Sequence, residues 1–508
     1  MCPYLSRGFG VARSTLFFLA LVLAASQLAF AEQVADQLAD FSTGLDATIA
    51  IRNETLLVSP QIVIVEAEIG NPNDSPMSVY LIRQEGGGWK IVNLLGALAP
   101  KSKSNIVLEV SVHYERKAVA KTRYAIVGRG DGGETYGTFF EISEDWSVYE
   151  KEIRESLTGM VLLWVPLITL VLVLLLFFVV RHAYRTKSPE AVAGEYTTGT
   201  LMSPMVANRP FEEKIADLIM HPITMLFELA CVGVLVWIMA DSLSQSSGIE
   251  DAAKIMLLSA VGSLAVPLVY FAAAWYFEKR EEGKPLRLFA GMFAWGMFAA
   301  FLSLVVSSGV ISELRGYDIA PYVIIATMLV SPVVEETFKG IGVLFMSGHH
   351  EYNDTLTGLL LGFTCGAGFA FVENWFYFSF KTNPFDMGLL GWGSLILYRS
   401  FFNTLAHGCF TAAVSVPIGY ARSVRKLRPY ARIAFVPGVF LAIAIHAIYN
   451  MSALADSFMI AGKAVPFYVF NPMLIILLAT VFFLVFVFAV IDEKKRASLG
   501  RVRGSGYG

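Results

Sequence analysis

Two adjacent glutamates and a lysine, Glu335, Glu336 and Lys339 in SPVVEETFKG, stand inside an apolar run, 321–346, that is otherwise suited to lipid. As a helix that run is long enough to cross ~30 Å of hydrocarbon. Ionisable side chains at such depth are costly, usually face the protein interior, and mark function. Three later apolar runs repeat the pattern. One carries Glu373 and Asn374, the next Arg399, Asn403 and His407, and the last His446 and Asn450.

Spacing decides which of these groups can act together. A helix turns by ~100° per residue, so Glu335 and Lys339 share a face while Glu336 points well away from Glu335. One glutamate can therefore pair with the lysine while the other faces a reaction site. Arg399, Asn403 and His407 fall at four-residue intervals on one face, and His446 and Asn450 repeat that interval. Such a set could hydrolyse an amide within the membrane. An enclosed glutamate can take a proton from water. Glu373, His407 and His446 are the candidates to hold Zn2+, which acidifies its bound water and polarises a carbonyl. Asn450 could donate to a developing oxyanion. A scheme without metal, in which glutamate activates water while histidines and asparagine stabilise charge, is equally economical. The residues alone do not choose between the two.

The elements that must position these groups are membrane helices. Of 508 residues, 55% are hydrophobic and only 16% charged, with a mean hydropathy of +0.58, well outside the soluble average. The reading is a polytopic α-helical membrane protein embedded in a lipid bilayer. A net charge of -3 argues against nucleic acid as a partner. Cys2 lies in the amino-terminal leader and Cys231, Cys365 and Cys409 in apolar runs, so the exterior domain has no disulfide framework.

Along the chain, residues 1–31 read as a signal peptide, with Arg7 and Arg13, an apolar stretch and Ala29-Phe30-Ala31 as a cleavage site. Residues 32–157 change to short β-branched and aromatic runs at 46–52, 61–69, 77–83, 89–94, 104–114, 122–128 and 138–143. Seven such strands suggest an immunoglobulin-like β-sandwich. Residues 158–185 hold the first transmembrane helix, 186–214 a cytoplasmic linker, 215–491 a polytopic domain and 492–508 a cytoplasmic tail. The expected spans are 159–180, 221–240, 255–277, 288–309, 321–346, 357–380, 394–421, 433–455 and 466–491. Basic clusters at Arg181 to Lys187, Lys279 to Arg287, Arg422 to Arg432 and Lys494 to Arg503 fall on one side only if the spans number about nine. By the positive-inside bias, the β-domain is then extracytoplasmic and the carboxyl terminus cytoplasmic, in a multi-pass protein of the cell membrane.

At these residues the chain resembles a known family. EExxK at Glu335, Glu336 and Lys339, FxxxE at Phe369 and Glu373, the intramembrane His407, and HxxxN at His446 and Asn450 are similar to the PrsW intramembrane proteases. These are related to the CAAX-protease and bacteriocin-processing superfamily, whose pattern has EExxxR and a histidine at the second motif. The lysine spacing and Glu373 favour the PrsW branch. The resemblance covers about residues 290–490 and implies membrane-embedded proteolysis of a membrane protein substrate. It carries over Glu335, Glu336, Glu373, His407 and His446. The long exterior domain and the first three spans depart from a compact PrsW-like core. Two other readings stay open: a proton-coupled transporter or channel, since buried Glu and His chains relay protons, and an inactive receptor or scaffold.

Overall fold

The computed structural model describes residues 38–39, 41–43, 45–51, 56, 59–85, 88–114, 117–185, 210–281, 284–315, 329–453, 457–460 and 463–504. The expected signal peptide and most of the expected linker lie outside these residues. The chain divides into two compact units. The first holds the strands between Ser42 and Asp145 and the start of the first long helix, up to Ser156, together with residues 384–389; the second holds the other described helices and a two-stranded hairpin of Ser457–Ile460 with Lys463–Pro466.

In the first unit, strands form at each of the seven expected places. They are β2 (Asp46–Ile51), β3 (Gln61–Gly70), β4 (Met77–Glu85), β5 (Gly88–Leu98), β6 (Lys103–Val112), β7 (Val119–Gly130) and β8 (Thr135–Asp145), after a two-residue β1 (Ser42–Thr43). One sheet has the order β1-β8-β7-β4-β5 and the other β2-β3-β6. Period-two alternation buries one face of β3, β6 and β8. Val63, Val65, Ala67 and Ile69 of β3 lie on the same inner face as Leu108, Val110 and Val112 of β6, with Val63 paired to Val110. In the larger sheet, Val79, Leu81, Tyr124, Ile126 and Ile142 are buried. This is a two-sheet sandwich.

In the second unit the helices are α1 (Ser147–Arg185, from Leu157), α2 (Phe211–Ile219), α3 (Pro222–Ser247), α4 (Ile249–Glu281), α5 (Leu286–Arg315), α6 (Ser331–Met346), α7 (Thr355–Phe376), α8 (Pro384–Tyr398, from Leu390), α9 (Thr404–Ser423), α10 (Phe435–Ala453) and α11 (Phe467–Gly504). Eight described helical segments are long and apolar enough to cross a membrane, α8 and α9 counting as one continuous segment. They correspond to eight of the nine expected spans. In place of the fifth, the described part is α6, only 16 residues long.

α7 is the centre of the bundle, with 94% of its apolar window buried against 11% for α11. Its sequence explains this, because Gly358, Gly362 and Gly366 leave one face bare for close approach. A Cβ at Gly366 would overlap the His407 carbonyl, so the backbones of α7 and α9 touch at this point. Asp354 caps α7 by accepting from the Thr357 amide at 2.9 Å. The buried Lys284 ties the same turn to α4, bonding the Glu351 carbonyl at 2.6 Å and Thr357 Oγ1 at 2.5 Å, with Glu278 at 3.4 Å.

Candidate active site

α6 enters the bundle behind Pro332, at a helix start where the missing amide hydrogen costs nothing. Gly342 leaves room for the Trp295 indole of α5, whose N–H donates to the Phe338 carbonyl at 3.0 Å. That contact fixes the rotation of α6 and buries Glu335, Glu336 and Lys339 together.

Lys339 pairs with Glu336, three residues back, at 2.5 Å. Glu335, four residues back on the face that spacing favoured, accepts from Ser331 instead. Lys339 also donates to His407 Nδ1 at 3.1 Å and lies 4.2 Å from the centre of the Phe369 ring. This gives the phenylalanine of FxxxE a physical role, as a cation–π partner.

His407 is held at both nitrogens. An ammonium has only donors, so Nδ1 accepts from Lys339 and Nε2–H donates to Glu373 Oε2 at 2.8 Å. Glu373 also accepts from Arg399 at 3.1 Å and from Asn403 at 3.0 Å. Arg399 and Asn403 belong to a π-helical turn, Arg399–Asn403, immediately before α9. Such wide turns recur at functional sites. Asn374 Oδ1 accepts from Asn403 at 3.0 Å and from Arg399 at 3.3 Å, which completes the support of Glu373.

His446, on α10, has its Nδ1 2.8 Å from Glu336 Oε1. A carboxylate oxygen accepts, so Nδ1 carries the hydrogen and Nε2 keeps its lone pair. Nε2 lies 3.9 Å from Glu335 Oε2. That Glu335 oxygen and Glu336 Oε2 are both buried with no hydrogen-bond partner. Phe410 stacks on the His446 ring at 4.6 Å and holds its orientation.

The unpartnered oxygens test whether a cation fits. Among the described residues, Glu335, Glu336, His407 and His446 each offer one ligand atom, all within 4.8 Å of one another. Carboxylate oxygen with imidazole nitrogen suits a zinc-class divalent ion. The donor set therefore fits, with Glu335, Glu336 and His446 offering the groups least engaged elsewhere. Of the residues singled out for metal from sequence, His407 and His446 are in this group, and Glu373 stands behind His407. Asn450 lies one turn beyond His446 on α10, half-buried.

Residues 284–490 match the family described as PrsW family intramembrane metalloprotease. Over this segment the chain is similar to the PrsW family. The segment contains every residue of the cluster, whereas the β-sandwich and α1 to α4 precede it. No curated protein and no solved structure matches the chain.

Around this cluster, several supporting residues were given no role from the sequence. Ser331 holds Glu335, and Tyr449 donates to Asn403 at 3.3 Å. Each stands one helical turn from a residue already singled out, Ser331 before Glu335 and Tyr449 after His446, and that was the available signal. Outside the PrsW segment, α3 buries Glu228 with both carboxyl oxygens unpartnered among the described residues. Its only sequence signal was a single acid in an apolar run.

Proposed function

We propose that this chain is an intramembrane endopeptidase that hydrolyses peptide bonds of membrane protein substrates, with Glu335 as the general base. The observation that carries this is the buried, unpartnered Glu335 Oε2 facing His446 Nε2 across 3.9 Å. A base must reach its proton directly or through one water. A water hydrogen-bonded to the free Glu335 Oε2 would be within that reach.

In the proposed reaction, Glu335 Oε2 takes a proton from water as the water oxygen bonds to the scissile carbonyl carbon. The tetrahedral oxyanion then collapses, the C–N bond breaks, and Glu335 returns the proton to the leaving amine. Lys339 holds Glu336 anionic beside His446 and keeps His407 in one tautomer. Glu373, braced by Arg399 and Asn403, fixes the His407 ring. Asn450 is the proposed donor to the oxyanion. A divalent ion held by Glu336 Oε2 and His446 Nε2 would acidify bound water and polarise the scissile carbonyl, leaving Glu335 Oε2 free as the base.

The loop charges support an orientation with the β-sandwich extracytoplasmic and the carboxyl terminus cytoplasmic. In that orientation the sandwich would select or exclude substrates before they reach the bundle. The test compares membrane and secreted protein fragments between cells carrying the wild type and cells carrying Glu335→Gln with His446→Ala. A membrane protein that accumulates uncut only in the variant supports the reading and identifies a substrate. An unchanged fragment pattern at equal expression sinks it.

A further inference from the structure

Residues 422–432 bring Arg422, Arg425, Lys426, Arg428 and Arg432 together with no acidic residue among them. Three of the arginines, Arg422, Arg428 and Arg432, line a cavity of about 290 Å3 that is walled on its other sides by Glu212, Ser347 and Gly348. Three separate segments build it: the start of α2, the turn that follows α6, and the connection between α9 and α10. The walls are held close. A Cβ at Gly348 would stand 2.6 Å from the Glu212 carbonyl oxygen, so α2 packs directly on the end of α6.

The charges in this cavity do not cancel. Glu212 is the one carboxylate among its lining residues, and it pairs with Arg432. Neither Arg422 nor Arg428 has a carboxylate partner among the described residues. Two uncompensated guanidinium groups on one cavity suit a phosphate, whose oxygens they bind in bidentate fashion.

The surroundings point to the source of that phosphate. α9 ends at Ser423 and α10 begins at Phe435, so the connection lies where membrane helices leave the hydrocarbon. Interleaved with the arginines are three exposed apolar side chains, Leu427 at 39%, Tyr430 at 61% and Ile433 at 64%. A soluble phosphate has no use for them, but a lipid leaflet does, because tyrosine and aliphatic groups settle at the interface beside basic residues.

We propose that this cavity binds the phosphodiester headgroup of an anionic phospholipid, with its acyl chains beside Leu427, Tyr430 and Ile433. Ser347 and Gly348 directly follow α6, so an occupied site ties the helix carrying Glu335 and Glu336 to the leaflet surface.

The test titrates short-chain phosphatidylglycerol into the full-length protein in phosphatidylcholine micelles and reads bound lipid by native mass spectrometry. Wild type should retain phosphatidylglycerol in preference to phosphatidylcholine. R422Q and R428Q should each weaken it about tenfold or more. E212Q should tighten it several-fold by releasing Arg432, a gain that misfolding cannot produce. Equal retention of the two lipids, or unchanged binding in R428Q, overturns the proposal. Inorganic phosphate that displaces the lipid at comparable concentration would assign the cavity to a free anion and also overturn it.

Discussion

Lys339 donates to His407 Nδ1 across 3.1 Å, joining α6 to α9 through the buried middle of the bundle. The same ammonium neutralises Glu336 at 2.5 Å, so one side chain fixes both a carboxylate and an imidazole tautomer. Lys339→Met should leave Glu336 buried without a cation, at a cost of about 3–5 kcal/mol, and free His407 to flip. Thermal unfolding in detergent should show this loss, while Lys339→Met with Glu336→Gln should recover most of it and stay inactive. A single variant as stable as wild type would show that the pair carries no structural weight.

The two adjacent glutamates should separate cleanly. Glu335 lies outside the Lys339 ion pair, so Glu335→Gln should retain folded yield and lower turnover by about 10²–10⁴-fold, the usual worth of a general base. Glu336→Gln removes the counter-ion of Lys339 and should lose stability as well as activity. Yield, melting temperature and turnover of a model membrane substrate distinguish the two. Equal melting temperatures for both variants would contradict the assigned roles.

Metal content tests the donor set without reference to activity. If Glu336 and His446 hold a divalent ion, purified His446→Ala should lose bound metal by elemental mass spectrometry. Glu373→Gln should keep it, because Glu373 touches His407, Arg399 and Asn403 rather than the unpartnered oxygens. The opposite pattern would move the ion to the Glu373 and His407 side.

Close approach of α7 to α9 predicts a packing effect with a catalytic readout. Gly366→Ala places a methyl group against the His407 carbonyl, so α9 must shift and carry His407 with it. A displacement of about 1 Å in a catalytic group can cost about 10²-fold in rate. Gly233→Ala is the control, since its added Cβ meets nothing within 4 Å. Wild-type turnover in Gly366→Ala would mean that the bundle absorbs the change elsewhere.

The sequence by itself determined the elements and the kinds of chemistry they carry. Alternation within β3 and β6 marked the strands, apolar length marked the helices, and charged residues inside apolar runs marked Glu335, Glu336, Lys339, Glu373, His407 and His446. These signals are legible because strand and helix periods are local properties of a chain. Local spacing also shows which residues of one helix share a face. It carries no information on how far one helix is rotated against the next. Only the tertiary structure decided that Lys339 takes Glu336 rather than Glu335, that His446 meets the same carboxylate from α10, and that Arg422, Arg428 and Arg432 line one cavity with Ser347. The physical reason is backbone contact between helices. The bare face of α7 at Gly366 against the His407 carbonyl, and Gly342 against Trp295, set rotations that no spacing within a single helix encodes.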